Sequence, residues 1–432
     1  MPWTLPCTAR DSETVLFVET LQERRWTTVA HASPLCAFPT LRSILNKSNQ
    51  SDYPTKKKLS AMTQRVADDR PDGMRVVISP YRICPIGAHS DHQGGPTLGM
   101  AVSAHSVLTF AAQDSPAIHL ESDNFPGAVD IDSSQVESVD ECDGWGRYVA
   151  AAALVLRQRL PRSPVGIRGR IYGTLPGGGL SSSASVLLAY LTALAEVNGV
   201  VLSPTDKAEL ALRAERELVG IKVGILDPAA IVGSRRGHLL AIDSRANQWE
   251  AVPLGEKAPP FQIVVAATGV TRNLAGTSYN NRVEECFAAC EKLADFAGRS
   301  DVVGLHDLDD AVFEEFGERL PRAELLRARH FFTERARVRR GIELWREGDL
   351  EGFGALMNAS CQSSIENWES GSPELIEVQR KLEATEGVYG SRFSGAGFGG
   401  CVVAFAKDVD VIKAALPLRV FAVESDDGVR VL

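Results

Sequence analysis

The sequence has no surplus of positive charge: its 432 residues hold 46 Lys and Arg against 55 Asp and Glu, a net charge of −9. A chain of that balance has no global electrostatic reason to hold nucleic acid or an anionic membrane surface. Cysteine is sparse, and its eight copies are scattered with no C-x-x-C pair. The nearest two, Cys286 and Cys290, have no histidine beside them. A zinc site or disulfide framework therefore gives way to reduced, mostly buried thiols and a cytoplasmic location. Long apolar runs are missing too: Val186–Ala195 is interrupted by Tyr190 and Thr192 and falls short of the ~20 residues that span a bilayer. No Gly-Lys-Ser or Gly-Lys-Thr occurs anywhere, which excludes a Walker phosphate loop. The 37 glycines and 22 prolines do not amount to low complexity, and no internal repeat is visible. What remains, 44% hydrophobic and 23% charged, is the composition of a large soluble enzyme of two or three domains.

Residues 1–72 read differently from the rest. They are mildly basic, carry the run Lys56-Lys57-Lys58 and show no sustained period. Asp11, Glu13, Glu19 and Glu23 argue against a transit peptide, so a poorly ordered extension is expected. From Met74 the pattern sharpens, with strands expected at 74–79, 105–112, 117–122 and 166–175. A helix is predicted over 182–197 and another over 204–218, with Ser203 as N-cap, Pro204 in the first turn and Gly220 as the stop. A strand at 238–243 precedes a charged, proline-rich linker at Pro253–Pro260. Beyond it come a strand at 261–267, a helix at 279–296, two or three more helices to Trp345, and strands at 401–406 and 420–425. Strands and helices mix without regular βαβ spacing, so the prediction is an α+β fold of two domains, 73–255 and 256–432.

Three glycine-rich segments carry the chemistry. Leu175-Pro-Gly-Gly-Gly-Leu-Ser-Ser-Ser-Ala-Ser185 reads as strand, glycine turn and helix start. Such a turn lets the backbone approach a ligand closely, and the helix end offers free N–H groups and its positive dipole to a polyphosphate. The bland alternative is a tight turn with serine caps. Ser394-Gly-Ala-Gly-Phe-Gly-Gly400 contains a formal G-x-G-x-x-G, yet it leads into the strand at 401–406 where a dinucleotide fingerprint must open a helix. The third, Tyr81-Arg-Ile-Cys-Pro-Ile-Gly-Ala-His-Ser-Asp-His-Gln-Gly-Gly95, gathers Arg82, His89, Asp91 and His92 in a short polar loop. It suits a polyhydroxylated ligand, with Asp91 accepting from adjacent hydroxyls, or a zinc ion held by two histidines and a carboxylate.

In order and content these three segments resemble the GHMP sugar-kinase superfamily, galactokinase branch. The family's first motif reads approximately G-R-V-N-L-I-G-E-H-T-D-Y-N-G-G and corresponds to Tyr81–Gly95; the second and third correspond to Pro176–Ser185 and Ser394–Gly400. Glu215-Arg-Glu-Leu-Val-Gly-Ile-Lys-Val-Gly-Ile-Leu-Asp227 is similar to its catalytic segment, and Tyr279-Asn-Asn-Arg-Val-Glu-Glu-Cys286 and Gly390–Ser394 also fit. The resemblance covers roughly residues 74–432. It implies a two-domain α+β fold, with a ribosomal-S5-domain-2-like N-terminal nucleotide domain, a ferredoxin-like C-terminal domain and the active site between them. It also implies a monomer or homodimer acting on ATP and a small sugar.

Carried over position by position, the resemblance makes Asp227 the catalytic carboxylate and Arg82 its partner beside the transferring phosphoryl group. Ser183 and Glu215 become magnesium ligands, a hydroxyl and a carboxylate as a hard cation requires. Gly177, Gly178, Gly179, Ser181 and Ser182 hold the ATP phosphates, and Trp145 lies near the adenine. His89, Asp91, Gly224 and Tyr279 bind sugar hydroxyls. One departure stands out: the family's glutamate in G-E-H is Ala88 here. A glutamate ~4 Å from a sugar carboxylate would cost roughly 1 to 4 kcal/mol, and alanine removes that repulsion. The pattern therefore implies a sugar-acid 1-kinase acting on D-galacturonate, with Arg272 as a candidate cation for the substrate carboxylate. Phosphorylation of neutral galactose is the alternative, and a non-catalytic ATP and sugar sensor a more distant one.

Overall fold

The computed structural model describes residues 70, 72–161, 164–175, 178–270 and 278–432. The expected extension, residues 1–72, lies outside them apart from Arg70 and Asp72. The chain begins with β1 (Arg75–Ile86), β2 (Pro96–Ala112), β3 (Ala117–Ser122) and β4 (Ala128–Asp132). Helix α1 (Gly146–Leu156), β5 (Ile167–Gly173), α2 (Ser182–Val197), α3 (Pro204–Arg213), α4 (Leu226–Gly233), β6 (His238–Asp243) and β7 (Gln248–Pro253) follow. Then come β8 (Gln262–Ala267), α5 (Tyr279–Phe296), α6 (Asp310–Phe316), α7 (Arg322–Glu347), α8 (Leu350–Glu366) and α9 (Pro373–Glu383). Strands β9 (Val388–Phe393) and β10 (Cys401–Ala406), helix α10 (Val409–Ala415), β11 (Arg419–Val423) and β12 (Arg430–Val431) complete it.

The first sheet has the order β12-β1-β2-β5-β3-β4, with β6 and β7 extending it from the other end of β2. Its pairs are antiparallel except β3 with β5. The second sheet, β11-β8-β10-β9, is antiparallel throughout. Helices α1 and α2 cover the first sheet through a cluster that includes Leu108, Phe110, Ile171, Val149, Leu187 and Leu191. A second cluster joins the sheets, with Ile83 and Met100 from one, Val265, Val403 and Phe405 from the other, and Trp345 and Phe353 among them. Each such side chain contributes ~1.5–3 kcal/mol on burial, so the two sheets share one continuous apolar support. Among the described residues no helix is long and apolar enough to cross a membrane.

Several elements depart from the sequence-based expectation, each for a physical reason. β1 was expected to stop at Ser79 but runs to Ile86, past Pro80 and Pro85. Irregularities accommodate both prolines: the register shifts just after Pro80, which still lies opposite His105, and again between Ile83 and Ile86, the stretch that holds Pro85. β2 begins nine residues before its expected start at His105, and almost all of it is buried. A strand covered on both faces has no alternation to read. The helix expected over 204–218 is α-helical only to Arg213; residues Ala214–Val219 widen into a π turn, closed by Gly220 at φ +84. The chain's end returns to the first sheet, where Val77 pairs with Val431.

Candidate active site

The site is built where the N-terminus of α2 meets the ends of β1 and β9. The second and third glycine segments lie backbone against backbone: a Cβ at Gly395 would fall 2.8 Å from Gly179 Cα, and one at Gly400 2.6 Å from the carbonyl carbon of Gly178. Only glycine permits that approach. Gly178, Gly179 and Ser182 thus sit at the mouth of α2 (Ser182–Val197), whose first N–H groups have no partner within the helix. Gly177 lies outside the described residues.

Arg82, 3% exposed and within β1, ties these parts together. Its Nε donates to Asp227 Oδ1 at 2.6 Å, and its Nη1 donates to the Gly179 carbonyl at 3.0 Å and to Ser394 Oγ at 3.3 Å. Asp227, in the first turn of α4, accepts a second hydrogen bond from the Ser181 hydroxyl. Ser181, expected among the phosphate ligands, therefore has its hydroxyl turned to Asp227, and its backbone takes the left-handed conformation at φ +54. Glu215 lies on the π turn, 3% exposed, with Oε2 making no hydrogen bond among the described residues. Burial, reinforced by nearby Asp227, pushes its carboxyl up to about 8, while the Ser183 hydroxyl opposes the shift. A buried carboxylate oxygen without a donor, beside a serine hydroxyl, is a donor set that fits a hard divalent cation.

Asp91 and Gly224 touch directly: a Cβ on Gly224 would lie 2.1 Å from Asp91 Oδ2. The same oxygen accepts from Leu226 N–H at 3.0 Å. Burial raises the Asp91 carboxyl, against the pull of that N–H. His89, held at φ +64, stacks on Trp368 with ring centroids 4.8 Å apart and planes 3° from parallel, while Tyr279 meets both edge-on. Burial, with His330 and Arg392 nearby, drives His89 well below the ordinary histidine range, so the ring is neutral. Its Nε2 is buried with no partner among the described residues. Tyr279 is raised well above its ordinary value by burial and by the carboxylates of Asp91 and Asp227.

Ala88 is 4% exposed and belongs to the apolar cluster that also holds Cys84, Ile225 and Leu226. Arg272 lies outside the described residues. Beside α2, a cavity of about 1170 Å³ is lined by Asn124, Phe125, Trp145, Tyr148, Ser182 and Ser183, among others. It has one aromatic wall and two hydroxyls at the helix mouth, the make-up of a site for a flat base carrying phosphates.

The GHMP kinases N-terminal domain matches residues 147–235 of this chain, and the GHMP kinases C-terminal domain matches residues 342–420. The galacturonokinase of Arabidopsis thaliana is 37% identical over 384 residues, covering 84% of this chain and 90% of that protein. The chain belongs to the GHMP kinase family. Within it the chain is a sugar kinase of the galactokinase branch. The galactokinase of Lactobacillus helveticus is 31% identical over 356 residues, covering 81% of this chain and 89% of that protein. The crystal structure of Lactococcus lactis galactokinase complexed with galactose superposes with a TM-score of 0.76 at 27% identity, covering 86% of this chain and 99% of that one. The Methanococcus jannaschii mevalonate kinase, at 16% identity and a TM-score of 0.60 over 83% of this chain and 100% of its own, shares the fold.

This GHMP kinase also has site residues that sequence reasoning missed. Trp368, fully buried after α8, stacks on His89. Two residues of α7 hold the backbone of the first motif. Glu334 accepts the Gly87 N–H at 2.6 Å, and His330 Nε2 lies 2.9 Å from the Ala88 carbonyl. Burial works against the Glu334 charge, but Arg337, with His330 and Arg392, outweighs it and keeps the carboxyl below its ordinary range. No local signal marks these residues; only the fold brings α7 to the loop.

Proposed function

We propose that this GHMP kinase transfers the γ-phosphoryl group of ATP to the anomeric hydroxyl of D-galacturonate, giving galacturonate 1-phosphate and ADP. The observation that carries the phosphoryl-transfer reading is the ion pair of buried Arg82 with half-buried Asp227 where both glycine segments meet α2. Asp227 orients the anomeric hydroxyl and takes its proton as the oxygen forms its bond to the γ-phosphorus. The bond from that phosphorus to the bridging oxygen breaks, and ADP leaves with the electron pair. Arg82 balances the charge of Asp227 and faces the charge that builds on the transferring group.

The backbone of Gly178, Gly179 and Ser182 cradles the phosphates, and the base lies in the cavity beside Trp145. Ser183 and Glu215 hold magnesium, the orphaned Glu215 Oε2 being the feature that fits it. When bound, that ion neutralises phosphate charge. His89, Asp91, Gly224 and Tyr279 receive the sugar. Its two domains, residues 73–255 and 256–432 in this proposal, both contribute: Arg82 and Asp227 from the first, Tyr279 and Ser394 from the second.

Two features support a sugar acid: Ala88 removes a carboxylate from the first motif, and the plant galacturonokinase stands at 37% identity. The galactokinases, at 31% and 27%, favour neutral galactose as the second reading. ATP turnover with D-galacturonate, D-galactose and D-glucuronate side by side decides between them. A kcat/KM highest for galacturonate supports the proposal, and one highest for galactose overturns it.

A further inference from the structure

We propose that Arg216 receives the carboxylate of the sugar acid and so sets the preference for a charged substrate. The inference rests on the function proposed above and names the residue that makes it selective. Asp91 and Asp227 lie close enough for their charges to act on each other, and two carboxylates beside the sugar repel an anion unless a cation offsets them. Arg82 is already committed to Asp227, Gly179 and Ser394. Arg282 spends its donors on the carbonyls of Trp368 and Glu369 and on Ser278, with Phe398 against its face. Arg392 is 1% exposed and bonded to Ser360, Ser364 and the Phe393 carbonyl. Lys222 pairs with Glu284 at 2.6 Å.

Arg216 differs. It lies on the π turn (Ala214–Val219), next to Glu215. Its Nε donates to the Val223 carbonyl, one residue before the Gly224 that rests on Asp91. That bond anchors the head beside the sugar-side wall and leaves Nη1 and Nη2 without a hydrogen-bond partner among the described residues. The exposed fork matches the two oxygens of a carboxylate. Its charge acts on Asp91, His92 and Tyr279, lowering all three against the larger effect of their burial on the two acids, and adding to it at His92. The widened turn has a geometric role here, since it rotates Arg216 and Glu215 from the register a continuous α-helix would impose.

The test uses the full chain and its Arg216→Gln and Arg216→Lys variants, with kcat/KM for D-galacturonate and D-galactose and a thermal melt for each. Arg216→Gln is expected to lower the galacturonate-to-galactose ratio of kcat/KM about ten- to hundredfold, mostly through the KM for galacturonate. Arg216→Lys should recover part of the loss, and added salt should raise the wild-type KM for galacturonate more than that of Arg216→Gln. An unchanged ratio in a folded Arg216→Gln protein, while the wild type still prefers galacturonate, overturns this assignment alone. Absence of galacturonate turnover in the wild type overturns the proposed function and the assignment with it.

Discussion

Gly224→Ala probes the sugar-side wall through space alone. Gly224 does not occupy the left-handed region, so alanine meets no backbone strain there and the whole effect comes from its methyl group. That methyl would sit 2.1 Å from Asp91 Oδ2, 2.2 Å from its Cγ and 2.7 Å from its carbonyl carbon. Ordinary contact begins at about 3.4 Å, so the carboxylate must retreat by more than ~1 Å. Retreat breaks its bond from Leu226 N–H, which for a charged acceptor is worth about 1.5–3 kcal/mol. A displacement of that size in a positioning group costs about a hundredfold in rate, while overpacking costs stability ~1–3 kcal/mol.

The expected result is a folded protein with a moderately lower Tm and a kcat/KM for the sugar about a hundredfold down, read by ADP release. A double-mutant cycle shows whether the effect passes through Asp91. Asp91→Ala removes the two carboxylate contacts and leaves the one at 2.7 Å with the Asp91 backbone, so adding Gly224→Ala to it should cost less than in the wild type, with a coupling of at least about 1 kcal/mol. Wild-type kcat/KM in Gly224→Ala, or full additivity in the cycle, refutes the contact as a functional one.

Asp227→Asn and Arg82→Ala should fold and lose phosphoryl transfer by at least about two orders of magnitude; near-normal turnover in either would remove it from the catalytic assignment. Glu215→Gln should raise the magnesium concentration needed for half-maximal rate more than it raises the sugar KM, and overlapping titrations would leave Glu215 a structural residue. Asp426, 1% exposed, joins β12 to β2 by accepting from His105 at 2.6 Å, Arg236 at 2.5 Å and Arg430 at 3.2 Å. Burial opposes its charge, but His105 and Arg430 outweigh it and depress its pKa. Its contribution is thus present at neutral pH and lost as pH falls through the folded value: acidification below about pH 4 should lower the Tm of the wild type more than that of Asp426→Asn, and parallel curves would contradict this.

What could be read from the sequence was what is enforced locally. The start of α3 was legible because Ser203 and Asp206 form a reciprocal cap within four residues. The glycine segments were legible because the backbone approaches at Gly179, Gly395 and Gly400 exclude any side chain. α8 was not foreseen: its Gly352, Gly354, Ser360, Ser363 and Ser364 are weak helix formers. Packing overrides that propensity, since a Cβ on Gly354 would lie 2.0 Å from the Tyr389 carbonyl oxygen, so the small residues serve a close approach to β9. Trp368, His330 and Glu334 left no trace because their contacts with the first motif span more than ~200 positions. Spacing rules register neighbours three or four residues apart, and such contacts lie beyond them.

Position 88 is where the sequence and the structure bear on one question from different sides. The first motif loses a carboxylate there, and the structure sets Ala88 in an apolar cluster, with its carbonyl held by His330 and the preceding N–H by Glu334. A glutamate at this position adds both bulk and charge to a buried place, so Ala88→Glu alone confounds repulsion with strain. Ala88→Gln adds nearly the same bulk without the charge. Both variants should melt lower than the wild type, the glutamate further because burial of an unpaired carboxylate is costly. If the sugar carboxylate lies within ~4 Å, the added charge costs roughly 1 to 4 kcal/mol depending on screening. The galacturonate-to-galactose ratio of kcat/KM should then be at least about tenfold lower in Ala88→Glu than in Ala88→Gln. Equal ratios in the two variants would mean that position 88 does not sense the sugar carboxylate, and Ala88 would no longer support the uronate assignment.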